Sequence, residues 1–85
     1  MIIQFTSKAW EDYLYWQKID KKMVKKINNL IQDVSRDDPY TGIGKPEPLK
    51  HAFSGFWSRR ITDEHRMVYR VYDEVVQIVL LRYHY

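Results

Sequence analysis

The chain contains no cysteine, which excludes disulfide staples, thiolate nucleophiles and cysteine-based zinc sites and agrees with a reducing compartment. Glycine and proline are sparse, three of each, so backbone punctuation is confined to a few places. No apolar stretch approaches the roughly 20 residues of a membrane span. The opening Met1-Ile2-Ile3-Gln4-Phe5 is short and runs at once into polar Thr6-Ser7-Lys8, unlike a signal peptide. The three histidines are scattered, with no HxH or HExxH spacing, so no metal or other cofactor is expected. Serine catalysis has no supporting pattern either. These absences predict one intracellular, cytoplasmic domain over residues 1–85 with no membrane association.

What is present is aromatic and basic. Three Trp, seven Tyr and three Phe are a heavy load for a domain that buries roughly two-thirds of its chain surface on folding, and some are expected to face a partner. The net charge of +3 is mild. Beyond Lys45, however, the acids fall mostly in the turn-like pairs Asp63-Glu64 and Asp73-Glu74, which leaves locally basic strands suited to an anionic partner such as nucleic acid.

Periodicity predicts an α+β fold. Ile2 to Phe5 reads as a strand, and Ser7 as the N-cap of a helix from Lys8 to Gln17 whose Trp10, Tyr13 and Leu14 share a face. Asp20 caps a second helix with Met23, Val24, Ile27, Leu30, Ile31 and Val34 at helical spacing and Lys21, Lys22, Lys25 and Lys26 on its solvent side. From Arg36 to Pro48 the periodicity stops. Strands come next at Leu49 to Phe53, Trp57 to Thr62, Arg66 to Tyr72 and Val75 to His84, joined by short turns as an antiparallel meander. The resulting β-α-α-β-β-β-β order predicts a two-helix hairpin packed on one face of a twisted antiparallel sheet.

The other sheet face is then available for chemistry. Its candidate groups are Lys45, Glu47, Lys50, Arg59, Arg60, His65, Arg66, Arg82 and His84. Strand alternation through the terminal Arg82-Tyr83-His84-Tyr85 puts Arg82 and His84 on one face and both tyrosines on the other, unless the last residue or two peel away from the sheet. Metal-free RNA cleavage needs a base for the 2′-hydroxyl proton, an acid for the leaving 5′-oxygen and cations for the phosphorane-like transition state. Glu, His and Arg supply those roles, since free glutamate titrates at about 4.3 and free histidine at about 6.5. The residues alone leave plain structural readings open: Glu47 as a solvated loop carboxylate, Arg59, Arg60 and Arg66 as exposed strand cations that discourage edge pairing, and the helix lysines as a solvated face.

The segments Glu11-Asp12-Tyr13-Leu14-Tyr15-Trp16-Gln17, Gly44-Lys45-Pro46-Glu47-Pro48-Leu49-Lys50, Ser58-Arg59-Arg60-Ile61, Glu64-His65-Arg66-Met67-Val68-Tyr69 and Arg82-Tyr83-His84-Tyr85, in this order and nearly end to end, resemble the YoeB (Txe) toxins of the RelE superfamily. The resemblance implies a microbial-ribonuclease-like fold and an mRNA interferase that cuts messenger RNA in the ribosomal A site. It implies Glu47 as general base, His84 as general acid, Arg66 as transition-state cation and Tyr85 in substrate placement. Lys50 and Arg60 would hold phosphate, with Arg59 and Lys45 beside them. It further implies a YefM-type antitoxin that covers the site, and operator DNA bound only through the antitoxin complex. A homodimer is compatible with it. The alternatives are a catalytically silent antitoxin-binding or corepressor module and a ribonuclease that cuts free RNA.

Overall fold

The computed structural model describes residues 1–36 and 38–83. In chain order it contains β1 (Ile2–Phe5), α1 (Ser7–Ile19), α2 (Lys21–Val34), β2 (Glu47–Pro48), a single 3₁₀ turn (His51–Phe53), β3 (Trp57–Arg60), β4 (Arg66–Tyr72) and β5 (Val75–Leu80). The strands form one sheet in the order β1-β5-β4-β3-β2. The meander from β2 to β5 is antiparallel as expected, but β1 joins β5 in parallel, so the sheet is mixed. A parallel neighbour requires a long crossover, and the helices and intervening strands supply it.

The helix boundaries come from their caps. Thr6, rather than Ser7, caps α1: its hydroxyl accepts from Ala9 N at 3.1 Å and donates to Val79 O at 2.9 Å. Asp20 caps α2 as expected, accepting from Lys22 N and Met23 N. The buried stripe of α2, Met23, Ile27, Leu30 and Val34, matches its periodicity. The buried face of α1 does not, because it consists of Ala9, Asp12 and Trp16, while Trp10 and Leu14 are exposed. A carboxylate on the inner face misled the apolar count. Asp12 is tolerated there because it accepts from Lys8 Nζ at 2.7 Å and from Leu81 N at 3.0 Å.

Three strand expectations are corrected. Residues 49–53 are not a strand; Glu47–Pro48 pairs briefly with β3 at the sheet edge, and the chain then turns, since Pro46 and Pro48 offer no N–H to a ladder. The strand expected over Trp57 to Thr62 ends at Arg60. β5 stops at Leu80 rather than reaching His84. Within it, Tyr69 pairs with Ile78 and Val68 with Leu80, so Val79 is an extra, unpaired residue that resets the alternation. Val76 and Ile78 face the helices with Met67 and Tyr69, whereas Leu80 shares the opposite face with Val68. Leu81 then returns to the core, fully buried.

Candidate active site

Register fixes which side chains can meet, because directly paired residues share a sheet face. Glu47 pairs with Ser58, Ser58 with Val68 and Arg60 with Arg66. Alternation along β3 and β4 therefore puts Glu47, Arg60 and Arg66 on the face opposite the helices. The two arginines are direct cross-strand neighbours, an unfavourable pairing of like charges that an anion between them would relieve. Arg66 Nη1 donates to the carbonyls of Thr62 at 2.6 Å and Asp63 at 3.0 Å, which steadies the guanidinium at the start of β4. Arg60 lies 3.7 Å from the exposed Asp63 carboxylate and borders a cavity of about 160 Å³ that Lys26 and Asn29 of α2 also line. Among the described residues, no ion pair engages Glu47, which is exposed. Lys45 and Lys50 are exposed too. Lys45 holds φ of 51°, a left-handed conformation uncommon outside glycine.

Arg59 does not belong to this set. It was expected beside Arg60 as an exposed phosphate contact, yet alternation turns it to the helix side, where it is fully buried. All five of its N–H groups are engaged within the protein. Nε donates to Tyr69 Oη at 3.1 Å. Nη1 donates to Asp33 Oδ2 at 2.6 Å and Ile43 O at 3.1 Å, and Nη2 to Pro39 O at 2.9 Å and Thr41 O at 2.8 Å. The hydrogen bond from Arg59 is the main reason that the Asp33 carboxyl titrates below its ordinary 3.8, while burial pushes the Tyr69 hydroxyl above its ordinary 10.0. Arg59 thus organises the irregular segment leading to Glu47. Gly44 completes this fit: a Cβ there would lie 2.8 Å from Leu30 Cδ2.

His84 and Tyr85 lie outside the described residues, but the chain leading to them is held at several points. Asp12 Oδ2 accepts from Leu81 N, Trp16 Nε1 donates to Leu81 O at 2.9 Å, and the Arg82 guanidinium lies 3.6 Å from the Tyr15 ring centre. His65 Nδ1 accepts from Tyr83 N at 2.7 Å, and Tyr83 O accepts from Arg66 N at 2.9 Å. Tyr83 has φ of 65°, so simple strand alternation does not continue through Arg82 and Tyr83 as expected. From the sequence, Asp12 has no assigned role, and His65 stands among the candidate groups without one. The 9, 12, 16 spacing, a carboxylate between two core positions, was the available signal for Asp12.

Residues 5–85 match the family model described as the YoeB-like toxin of bacterial type II toxin-antitoxin systems. The class is therefore that of toxins from such systems, built on the RelE fold. The YoeB toxin of Escherichia coli K12 is 59% identical over 85 residues, all of both chains. A YoeB/ParE toxin from Agrobacterium tumefaciens superposes with a TM-score of 0.96 at 48% identity, covering 100% of each chain. The Staphylococcus aureus toxin, solved as a YoeB dimer and as a YoeB-YefM complex, gives a TM-score of 0.92 at 50% and 49% identity, over 100% of this chain and 98% of that one. The chain belongs to the YoeB toxin family, whose members are ribosome-dependent mRNA interferases and thus endoribonucleases.

Proposed function

We propose that this toxin cleaves mRNA by metal-free acid-base catalysis on the sheet face opposite its helices. Glu47 takes the proton of the 2′-hydroxyl, the 2′-oxygen attacks the adjacent phosphorus, and Arg66 neutralises charge gathering on the non-bridging oxygens. His84 delivers a proton to the departing 5′-oxygen. The P–O5′ bond breaks, leaving a 2′,3′-cyclic phosphate and a free 5′-hydroxyl. Arg60, Lys50 and Lys45 hold neighbouring phosphates, and Tyr85 helps seat the substrate.

The observation that carries this reading is the register that gathers Glu47, Arg60 and Arg66 on one face, next to a chain end whose Tyr83 carbonyl accepts from Arg66 N. A YefM-type antitoxin fits as partner. Its C-terminal segment would fold onto the basic, aromatic face and occlude it, and operator DNA would be bound through that complex to repress the operon. A homodimer is compatible, and the ribosomal substrate places the protein in the cytoplasm. No helix among the described residues is long and apolar enough to cross a membrane.

Primer extension on an mRNA, with and without ribosomes, tests the reading with wild type, Glu47→Ala and His84→Ala. Cleavage only with ribosomes, lost in both variants, is the expected result. Equal cutting of naked RNA would make the protein a free ribonuclease, and undiminished cutting by either variant would remove that residue from the mechanism.

A further inference from the structure

We infer that His65 is a positioning residue for the catalytic chain end, acting through the backbone of Tyr83. The inference rests on the assignment of His84 as general acid. His65 is 9% exposed, and its ring packs edge-on against Trp16, with centroids 4.8 Å apart. A backbone N–H can only donate, so the 2.7 Å contact from Tyr83 N requires an unprotonated Nδ1, with the neutral ring carrying its proton on Nε2. Nε2 lies 3.5 Å from Glu64 Oε1, a partner suited to that tautomer.

The position of this bond in the chain gives it its consequence. The last strand ends at Leu80, so no ladder holds Leu81 to Tyr83. Asp12 and Trp16 fix Leu81, but Tyr83, the residue directly before His84, is held through its N–H by His65 and through its carbonyl by Arg66 N. One imidazole therefore couples Trp16 of α1, the turn before β4 and the link to the proposed acid. Tyr83 adopts a left-handed backbone, which a non-glycine residue keeps when its surroundings enforce it. Without an acceptor at Nδ1, the Tyr83 amide loses its partner, and Tyr83, which is covalently joined to His84, keeps only the restraint on its carbonyl. Misplacing a catalytic group by about 1 Å costs on the order of 100-fold in rate.

Two substitutions separate this role from simple packing. In asparagine, Oδ1 sits as many bonds from Cα as Nδ1 does in histidine, so His65→Asn keeps an acceptor for Tyr83 N but loses the ring. His65→Leu fills the space but accepts nothing. On programmed ribosomes, His65→Leu is expected to lower kcat about 10- to 100-fold with KM little changed, while His65→Asn recovers most of the rate. Amide hydrogen exchange at Tyr83 should be slow in wild type and His65→Asn and fast in His65→Leu, independently of catalysis. Wild-type turnover by His65→Leu, or equal losses in both variants that track their thermal midpoints, would overturn the positioning role. Should His84→Ala cut as well as wild type, the acid assignment and any catalytic use of the anchor fall together. The exchange pattern would still report whether His65 holds Tyr83.

Discussion

Arg60 and Arg66 stand directly opposite each other on β3 and β4, two cations on the sheet face that also carries Glu47. Like charges in direct cross-strand contact weaken a sheet, so the reason for this pairing has to be sought in what the two arginines bind. Arg60 is 42% exposed at its side chain and its partner Asp63 fully so, and such pairs contribute little to stability. Arg60→Ala is therefore expected to keep the unfolding free energy within about 0.5 kcal/mol of wild type while weakening binding to programmed ribosomes. Urea denaturation beside a ribosome-binding titration checks both halves; unchanged binding would remove Arg60 from the phosphate-holding set.

Arg59 should behave in the opposite way. Arg59→Met removes the five hydrogen bonds that Asp33, the Tyr69 hydroxyl and the carbonyls of Pro39, Thr41 and Ile43 now receive. Tyr69 Oη keeps its bond to Pro39 O and Asp33 its bond from Ile43 N, but Asp33 loses its buried cation and the Thr41 and Ile43 carbonyls lose the guanidinium. The expected loss is about 3–5 kcal/mol, and lysine offers too few donors to replace the fork. A normal denaturation midpoint combined with lost cleavage would return Arg59 to the RNA-binding set.

The same network predicts a pH signature. Asp33 titrates below 3.8 in the folded protein, so its contribution to stability is complete above 3.8 and disappears as pH falls through the lower folded value. Tyr69 is raised above 10.0, so its contribution is complete below 10.0 and disappears as pH rises through the higher folded value. Asp33→Asn should flatten the acid limb of a stability-pH curve, and Tyr69→Phe the alkaline limb. Limbs as steep as wild type in these variants would assign the slopes to other groups.

Thr6 joins the start of α1 to the irregular residue of β5, accepting from Ala9 N and donating to Val79 O. Thr6→Val removes both bonds at nearly constant shape and is expected to cost about 1–2 kcal/mol, whereas Thr6→Ser should restore most of it. Equal midpoints for the valine and serine variants would show that the hydroxyl does not hold the bulge.

Much of the fold was legible because it is written in local rules. The α2 stripe of Met23, Ile27, Leu30 and Val34, the Asp20 cap and the span of β4 come from spacing and cap chemistry that act within a few residues. The inner face of α1 was misread because Asp12 is buried by virtue of a hydrogen bond from Leu81, 69 residues away. Arg59 was misread for a similar reason: adjacent strand arginines look alike in a sequence, and burial became possible only when five distant acceptors converged on one of them. The end of β5 escaped because a bulge depends on the partner strand.

The sequence by itself determined the α+β class, the order of the elements and, through the Gly44 to Lys50, Ser58 to Ile61, Glu64 to Tyr69 and Arg82 to Tyr85 segments, the toxin family. Periodicity and motifs are properties of neighbouring residues and survive without a fold. The tertiary structure alone decided that β1 pairs in parallel, that Arg59 is structural while Arg60 is exposed, and that His65 holds Tyr83. Each of these depends on hydrogen bonds closed between residues far apart in the chain, and such bonds exist only after packing has chosen which groups leave water together.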